Sequence, residues 1–397
     1  MAVFPESRRL RAVQAPIIPV VADWIRAHPG TISLGQGVVG YGPPPQARAA
    51  LERFFAEPAN HRYQAVSGLP ALASALAERL ARDHGVTAGG DQPSRLMVTA
   101  GGNNAFLAAL LAVADPGDEV ILPNPYYFNH EMAVTMASCR PVPVATDAEQ
   151  QLDLTALRAA ITPRTRAIVT VSPNNPTGAV YPEAALRAVN ALCAEHGLFH
   201  FSDEAYADFT YDGAVHFSPA SIPGAAGHTL ALHSMSKSFG FASWRIGWMV
   251  YPAALEGALR KVQDTIVICP PVISQHAALG ALEAGTPWVL EQRRGIEASR
   301  QRVREELAPL VTEGILEVPP ATGAFYFLVR VRTRLPALEL AERLVREHRV
   351  AVIPGTAFGC EDGCHLRLAY GALPTEAVAE GIGRFARGLR ALASDGG

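Results

Sequence analysis

The stretch TLALHSMSKSFGFASWRIGWMV, residues 229–250, reads as two apolar runs, TLALHS (229–234) and RIGWMV (245–250), around a polar turn. Apolar runs of four to eight residues bounded by Ser and Gly are the pattern of buried strands. Lysine is scarce in the chain, yet Lys237 sits in this turn among Ser234, Ser236, Ser238, Gly240 and aromatics, with Arg245 eight positions on. An ammonium, hydroxyls and a guanidinium at a strand end in so apolar a setting call for a chemical reason.

Outward from that stretch the same rhythm recurs. RLMVT (95–99), EVILP (119–123), RAIVTVS (166–172) and LFHFSD (198–203) are further short apolar runs, most of them separated by helix-length stretches. Continuous apolar strands alternating with helices predict an α/β fold with a mostly parallel sheet covered on both faces. After residue 290 come a charged helix, GAFYFLV (323–329), LPALELAERLVREH, VAVIP (350–354), HLRLAY (365–370) and a last helix, which together read as a smaller α+β unit. The expected division is an amino-terminal segment 1–45 packing with the small domain, a large domain 46–290 and a small domain 291–397. The segment up to LGQGVVGYGPPP (34–45) has no sheet of its own and must pack on something else.

Composition narrows the function. With 397 residues, 49% of them hydrophobic and 18% charged, the chain can bury a large core. Its formal net charge is −3 and neither Lys nor Arg clusters, which argues against nucleic-acid or acidic-membrane partners. No positive region precedes an apolar one at the amino end, and runs such as AFLAALLAVA are too short to span a bilayer, so a cytoplasmic protein is expected. The five cysteines are an odd number, and CEDGCH (360–365) lacks the second ligand pair of a zinc site; reduced thiols and no metal are expected.

In an open parallel sheet, ligands bind outside the carboxyl ends of the strands. TAGGNNAF (99–106) ends one strand: Gly101 and Gly102 allow close backbone approach, and the helix that follows offers free N–H groups to an anion. It has neither a Walker lysine nor the third glycine of a dinucleotide fingerprint. SPNNPTG (172–178) ends another strand, and SDEAYADF (202–209) places Asp203 and Tyr206 at the rim of the next. Each motif alone is ordinary: a Gly-Gly turn, an Asn-Pro turn, a helix cap. Together they supply an amine, a carboxylate, an amide, a phenol and an anion cradle, the groups that pyridoxal 5′-phosphate requires.

On SPNNPTG and SMSKSFGFASWRIGW the chain resembles the class I/II, fold-type I pyridoxal-phosphate aminotransferases over nearly its whole length. The resemblance implies that Lys237 forms the internal aldimine, Asp203 pairs with the pyridine nitrogen, and Asn175 and Tyr206 meet the ring's phenolic oxygen. It implies phosphate binding by Gly101, Gly102, Asn103, Ser234 and Arg245, and ring stacking by Tyr127 in PNPYYFNH (123–130), with His130 behind the aspartate. Arg367 in HLRLAY matches the arginine that takes the substrate α-carboxylate, with Asn175 and Gly37 on the substrate side. Tyr63 in HRYQAVSGLP matches a tyrosine that reaches the phosphate of a neighbouring subunit, which implies a homodimer. Tyr41 and Tyr126 are expected to pack rather than to make functional contacts.

Within that family, KVQDTIVICPP (261–271) and VIPGTAFGC are most similar to the aromatic- and methionine-type enzymes. Dicarboxylate-specific relatives place an arginine where alignment on Pro270–Pro271 puts Asp264. An apolar or aromatic amino donor is therefore expected, and a cationic donor facing Asp264 is the alternative. A β-lyase or an oxidase on the same scaffold shares the cofactor residues. A ligand-sensing regulator built on it would carry a DNA-binding module ahead of the cofactor domain, where only some forty residues stand.

Overall fold

The computed structural model describes residues 6–393. Its centre is a sheet of seven strands: β1 (Ser94–Thr99), β2 (Glu119–Asn124), β3 (Arg140–Ala145), β4 (Thr165–Val171), β5 (Phe199–Asp203), β6 (Thr229–Ser234) and β7 (Gly247–Pro252). Their spatial order is β1-β7-β6-β5-β4-β2-β3. Only β7 runs against its two neighbours; every other pairing is parallel. Alternate residues feed two apolar layers. Met97, Leu232 and Met249 join the core under helix Gly102–Val113, while Val98, Ala231 and Val250 join the core on the other face. All residues of β6 and β7 are buried, as the unbroken apolar runs require.

Two local features depart from the sequence reading. β3 has no strand signature, because Pro141 and Pro143 interrupt it. It lies at the sheet edge, where Arg140 and Thr146 donate their N–H groups to Asp118 and Asn124 and the intervening prolines turn their donor-less nitrogens outward. β7 begins at Gly247 rather than at Arg245, which occupies a left-handed turn (φ 58°). A Cβ at Gly247 would stand 2.7 Å from the His233 carbonyl oxygen and 2.8 Å from the Gly101 carbonyl carbon, so this strand start admits only glycine.

The second sheet is antiparallel and holds Ile353–Pro354, Cys364–Ala369, Tyr326–Val331 and Leu316–Glu317 in that order. Helices Ala337–His348 and Thr375–Ala393 pack on this unit. The amino-terminal helix Ile17–Ala27 packs on helix Ala337–His348, and Ile32–Ser33 pairs in parallel with Val350–Ala351. Passage from the large sheet to the small one is helical: Val272–Thr312 runs through residue 290, and its backbone breaks at Gly285 (φ 62°, ψ −164°). The first half of that helix crosses helix Pro45–Ala56 so closely that a Cβ on Gly280 would lie 2.5 Å from the Gln46 carbonyl oxygen and 2.6 Å from the Ala50 Cβ. Gly280→Ala is expected to destabilise the protein by about 1–3 kcal/mol through overpacking, measured as a lower urea midpoint with an unchanged slope.

Candidate active site

The carboxyl ends of β1, β4, β5 and β6 open onto one cavity of about 370 Å³. Residues Met235–Ser238 form a single helical turn directly after β6, capped by Ser234, whose Oγ accepts the Ser236 N–H at 3.1 Å. Lys237 projects from this turn, and its Nζ donates to the Gly37 carbonyl at 2.5 Å. Burial, with the nearby positive charges of Arg367 and Arg245, pushes the Lys237 ammonium down to about 8; Asp203 offsets part of this.

At the end of β5 two adjacent acids take opposite faces, as strand geometry demands. Asp203 lines the cavity, accepts the Ala205 N–H at 3.0 Å and lies 3.0 Å from His130 Nε2. His130 is itself buried and stacks on Phe106 with ring centroids 4.0 Å apart. Glu204 points away into a buried cluster, accepting from Ser218 at 2.8 Å and lying 3.0 Å from His216 Nε2. Burial works against its ionisation, but His216 and the neighbouring imidazoles outweigh it and hold the carboxyl at about 2.

The opposite wall is built on Arg367, 2% exposed, in the middle of its small-domain strand. Its Nη1 donates to Asn175 Oδ1 at 2.9 Å and its Nη2 to the Gly35 carbonyl at 2.7 Å, while its buried Nε has no protein partner. The guanidinium lies between two rings, 4.7 Å from the centroid of Tyr326 and 4.9 Å from that of Phe358. The Tyr206 hydroxyl meets the Tyr326 hydroxyl at 2.7 Å and accepts from Asn175 Nδ2 at 3.4 Å. Burial raises both phenols, that of Tyr326 to about 12, so they stay protonated at neutral pH.

The third wall gathers Gly102, Asn103, Ser234, Ser236 and Arg245 around the start of helix Gly102–Val113. Gly101 stands behind it at φ 89°, and a Cβ there would lie 2.8 Å from the Arg245 Cζ. Tyr127 lines the cavity with its ring edge-on to that of His130, 5.1 Å between centroids; its hydroxyl accepts from Asn129 Nδ2 at 2.8 Å. An amine, a carboxylate backed by an imidazole, and a guanidinium with hydroxyls and helix N–H groups are a donor set that could hold the aldehyde, pyridine nitrogen and phosphate of pyridoxal phosphate.

Most of the residues singled out from sequence thus share this cavity: Lys237, Asp203, Tyr206, Asn175, Arg367, Gly37, Gly102, Asn103, Tyr127, Ser234 and Arg245. Tyr63 and Asp264 do not. Tyr63 is 77% exposed on a different face, and Asp264 is exposed on helix Glu256–Val267. Tyr41, expected to pack, also makes a polar contact: its hydroxyl donates to the Lys237 carbonyl at 2.7 Å. Two further lining residues, Ser236 and Tyr326, have no role assigned from sequence. The first stands beside the lysine in the same motif, whereas the second is hidden inside the apolar run GAFYFLV.

Such a cavity on such a sheet defines a fold-type I pyridoxal-phosphate enzyme. Residues 29–385 match the family model for aminotransferase class I and II. The aspartate/prephenate aminotransferase of Thermus thermophilus is 37% identical over 364 residues, covering 90% of this chain and 91% of its own. The arginine–pyruvate transaminase of Pseudomonas aeruginosa is 37% identical over 346 residues, covering 87% and 86%. The crystal structure of an aromatic aminotransferase from Pyrococcus horikoshii superposes with a TM-score of 0.85 at 33% identity, covering 94% of this chain and 99% of that one. The chain belongs to the class I and II aminotransferases and is a pyridoxal-phosphate-dependent enzyme acting on amino and 2-oxo acids.

The chain has only two lysines, partly buried Lys237 and exposed Lys261, so the ammonium is easy to follow. In the cofactor-free protein, acylation of the Lys237 peptide by a small amine reagent is expected to rise with pH through a midpoint near 8. An ordinary lysine would give about 10.4. Below the midpoint the amine is protonated and inert, and above it the rate levels off. Mass spectrometry of the digested protein reads this directly.

Proposed function

We propose that the amino donor is an apolar or aromatic L-amino acid and that Lys237, Asp203 and Arg367 carry the reaction. One observation supports the donor class above others. The cavity lining includes three cationic residues, Lys237, Arg245 and Arg367, and each already has a task. Apart from Asp203 the rest of the lining is neutral and includes the apolar residues Pro16, Ile18, Val38 and Phe128.

Bound pyridoxal phosphate supplies the aldehyde that takes up the amino group and the ring that withdraws electrons from the substrate Cα. The protein does the rest. Arg245, Ser234, Ser236 and the amino end of helix Gly102–Val113 bind the phosphate. Asp203, fixed by His130, keeps a proton on the pyridine nitrogen. The unpartnered Nε of Arg367, with its η nitrogens, suits a carboxylate held by the planar fork. Lys237 would anchor the cofactor, and its ε-amine, less basic than an ordinary lysine, would serve as the base that moves the Cα proton. The product is a 2-oxo acid, and a second oxo acid reverses the half-reaction.

A side-chain pocket without a spare cation discriminates by burial, at about 0.8 kcal/mol per methylene, so breadth is expected. Phenylalanine, tyrosine, tryptophan and methionine should give higher kcat/KM than aspartate or arginine. Aspartate in first place would refute the pocket argument, and arginine in first place would favour a cationic donor. Arg367→Lys should raise KM for every donor roughly ten- to hundred-fold, since it removes charged hydrogen bonds, while cofactor absorbance stays intact.

A homodimer is part of the same proposal. Phe55, Tyr63, Ile266, Ile268 and Ile273 are exposed apolar residues, and the latter four lie in or beside a groove lined by Tyr63, Val267, Pro271 and Ile273. Burying such a patch against a second copy would also account for Tyr63 standing outside its own cavity. Sedimentation is expected to give a mass near twice 42.2 kDa; a monomer at micromolar concentration would remove this reading.

A further inference from the structure

We propose that Tyr41 and Asp208 are positioning residues for Lys237, clamping from two sides the single turn that carries the amine. A four-residue helix cannot sustain itself, because nucleation costs more than one turn returns. Its amino end is capped by Ser234, and its carboxyl end needs partners from elsewhere. The Lys237 carbonyl accepts the Tyr41 hydroxyl at 2.7 Å and, less closely, the Gly240 N–H at 3.3 Å. On the next residue, the Ser238 hydroxyl donates to Asp208 Oδ2.

Neither clamp is loose. Arg79 Nη2 lies 2.8 and 2.9 Å from the two Asp208 oxygens, and Arg79 Nε reaches Asp83 at 3.3 Å. The Arg79 guanidinium lies 5.0 Å from the Phe239 ring centroid, against the residue that ends the turn. Burial opposes ionisation of Asp208, but Arg79 and the Ser238 hydroxyl outweigh it and keep the carboxyl below its ordinary value. On the other side, Gly240 (φ 69°) lets the two backbones touch: a Cβ there would lie 2.6 Å from the Tyr41 carbonyl oxygen. The Tyr41 ring stands edge-on to Trp288, 6.4 Å between centroids and three residues beyond the break at Gly285. The turn is thereby tied to helix Pro70–His84 on one side, and to the amino-terminal segment and the interdomain helix on the other. Tyr41, Asp208, Ser238 and Arg79 are all absent from the cavity lining, so they act only through the placement of Lys237.

The inference rests on Lys237 being the amine that anchors the cofactor. Holoenzymes of the wild type, Tyr41→Phe and Asp208→Asn are compared with the amino donor of highest kcat/KM. Each variant is expected to lower kcat about ten-fold, with KM within about two-fold, because the substrate-binding wall is untouched. The rate at which added pyridoxal phosphate restores the visible absorption band of cofactor-free enzyme should fall by a similar factor. Unchanged kcat and unchanged reattachment rate in Tyr41→Phe, whatever happens to the melting temperature, would overturn the positioning role. That variant keeps the ring against Trp288, and it decides the matter alone if Asp208→Asn does not fold. Borohydride fixation of the wild type, mapped to the peptide of Lys237 or of Lys261, separates the two levels. Label on Lys261 overturns the assignment of Lys237 itself, whereas label on Lys237 with wild-type kinetics in both variants overturns the clamp alone.

Discussion

Parallel strands buried on both faces must all end on the same edge of the sheet, and the rest of the molecule follows from that constraint. In β4, β5 and β6 nearly every position is taken by core packing, so polar function has nowhere to go except the residues just beyond each strand. Asp203 closes β5, Asn175 follows β4 and Lys237 follows β6, and the sheet brings the three into one cavity although 62 positions separate the first from the last in sequence. The small sheet then has one duty at this edge, to present Arg367 from the middle of a strand across the opening.

That constraint also explains what could be read in the sequence. The central strands are legible because burial on both faces leaves an unbroken apolar run, and the edge that bears the cavity is legible because its punctuation is polar at fixed places. Where a side chain serves an apolar purpose as well, the signal disappears. Tyr326 belongs to a strand core in every respect except its hydroxyl, which meets Tyr206. Tyr41 is an aromatic in a Gly/Pro-rich segment, and only the fold shows that the Lys237 carbonyl lies at its hydroxyl. β3 was illegible for a different reason: prolines forbid a central strand but suit an edge, and sequence does not tell which strand will be outermost. Adjacent Asp203 and Glu204 show a further limit. Alternation says that they face opposite ways, but not which way the cavity lies.

The site concentrates positive charge to an unusual degree. Lys237, Arg245 and Arg367 line a cavity to which Asp203 contributes the one carboxylate, and that carboxylate is already engaged by His130. Such a cavity repels cations and is poised to receive anions. The same repulsion, added to burial, is what lowers the basicity of Lys237.

The distribution of amines has a chemical consequence of its own. Of the 34 basic residues only Lys237 and Lys261 are lysines; the remaining cationic surface is arginine. A guanidinium stays protonated at neutral pH and is a poor nucleophile, whereas a neutral ε-amine condenses readily with carbonyls. Aldehydes and reducing sugars in solution therefore meet a single ε-amine on the exterior of this chain, Lys261. The exterior thus offers glycation one lysine, Lys261, while partly buried Lys237 is the lysine that lines the cavity.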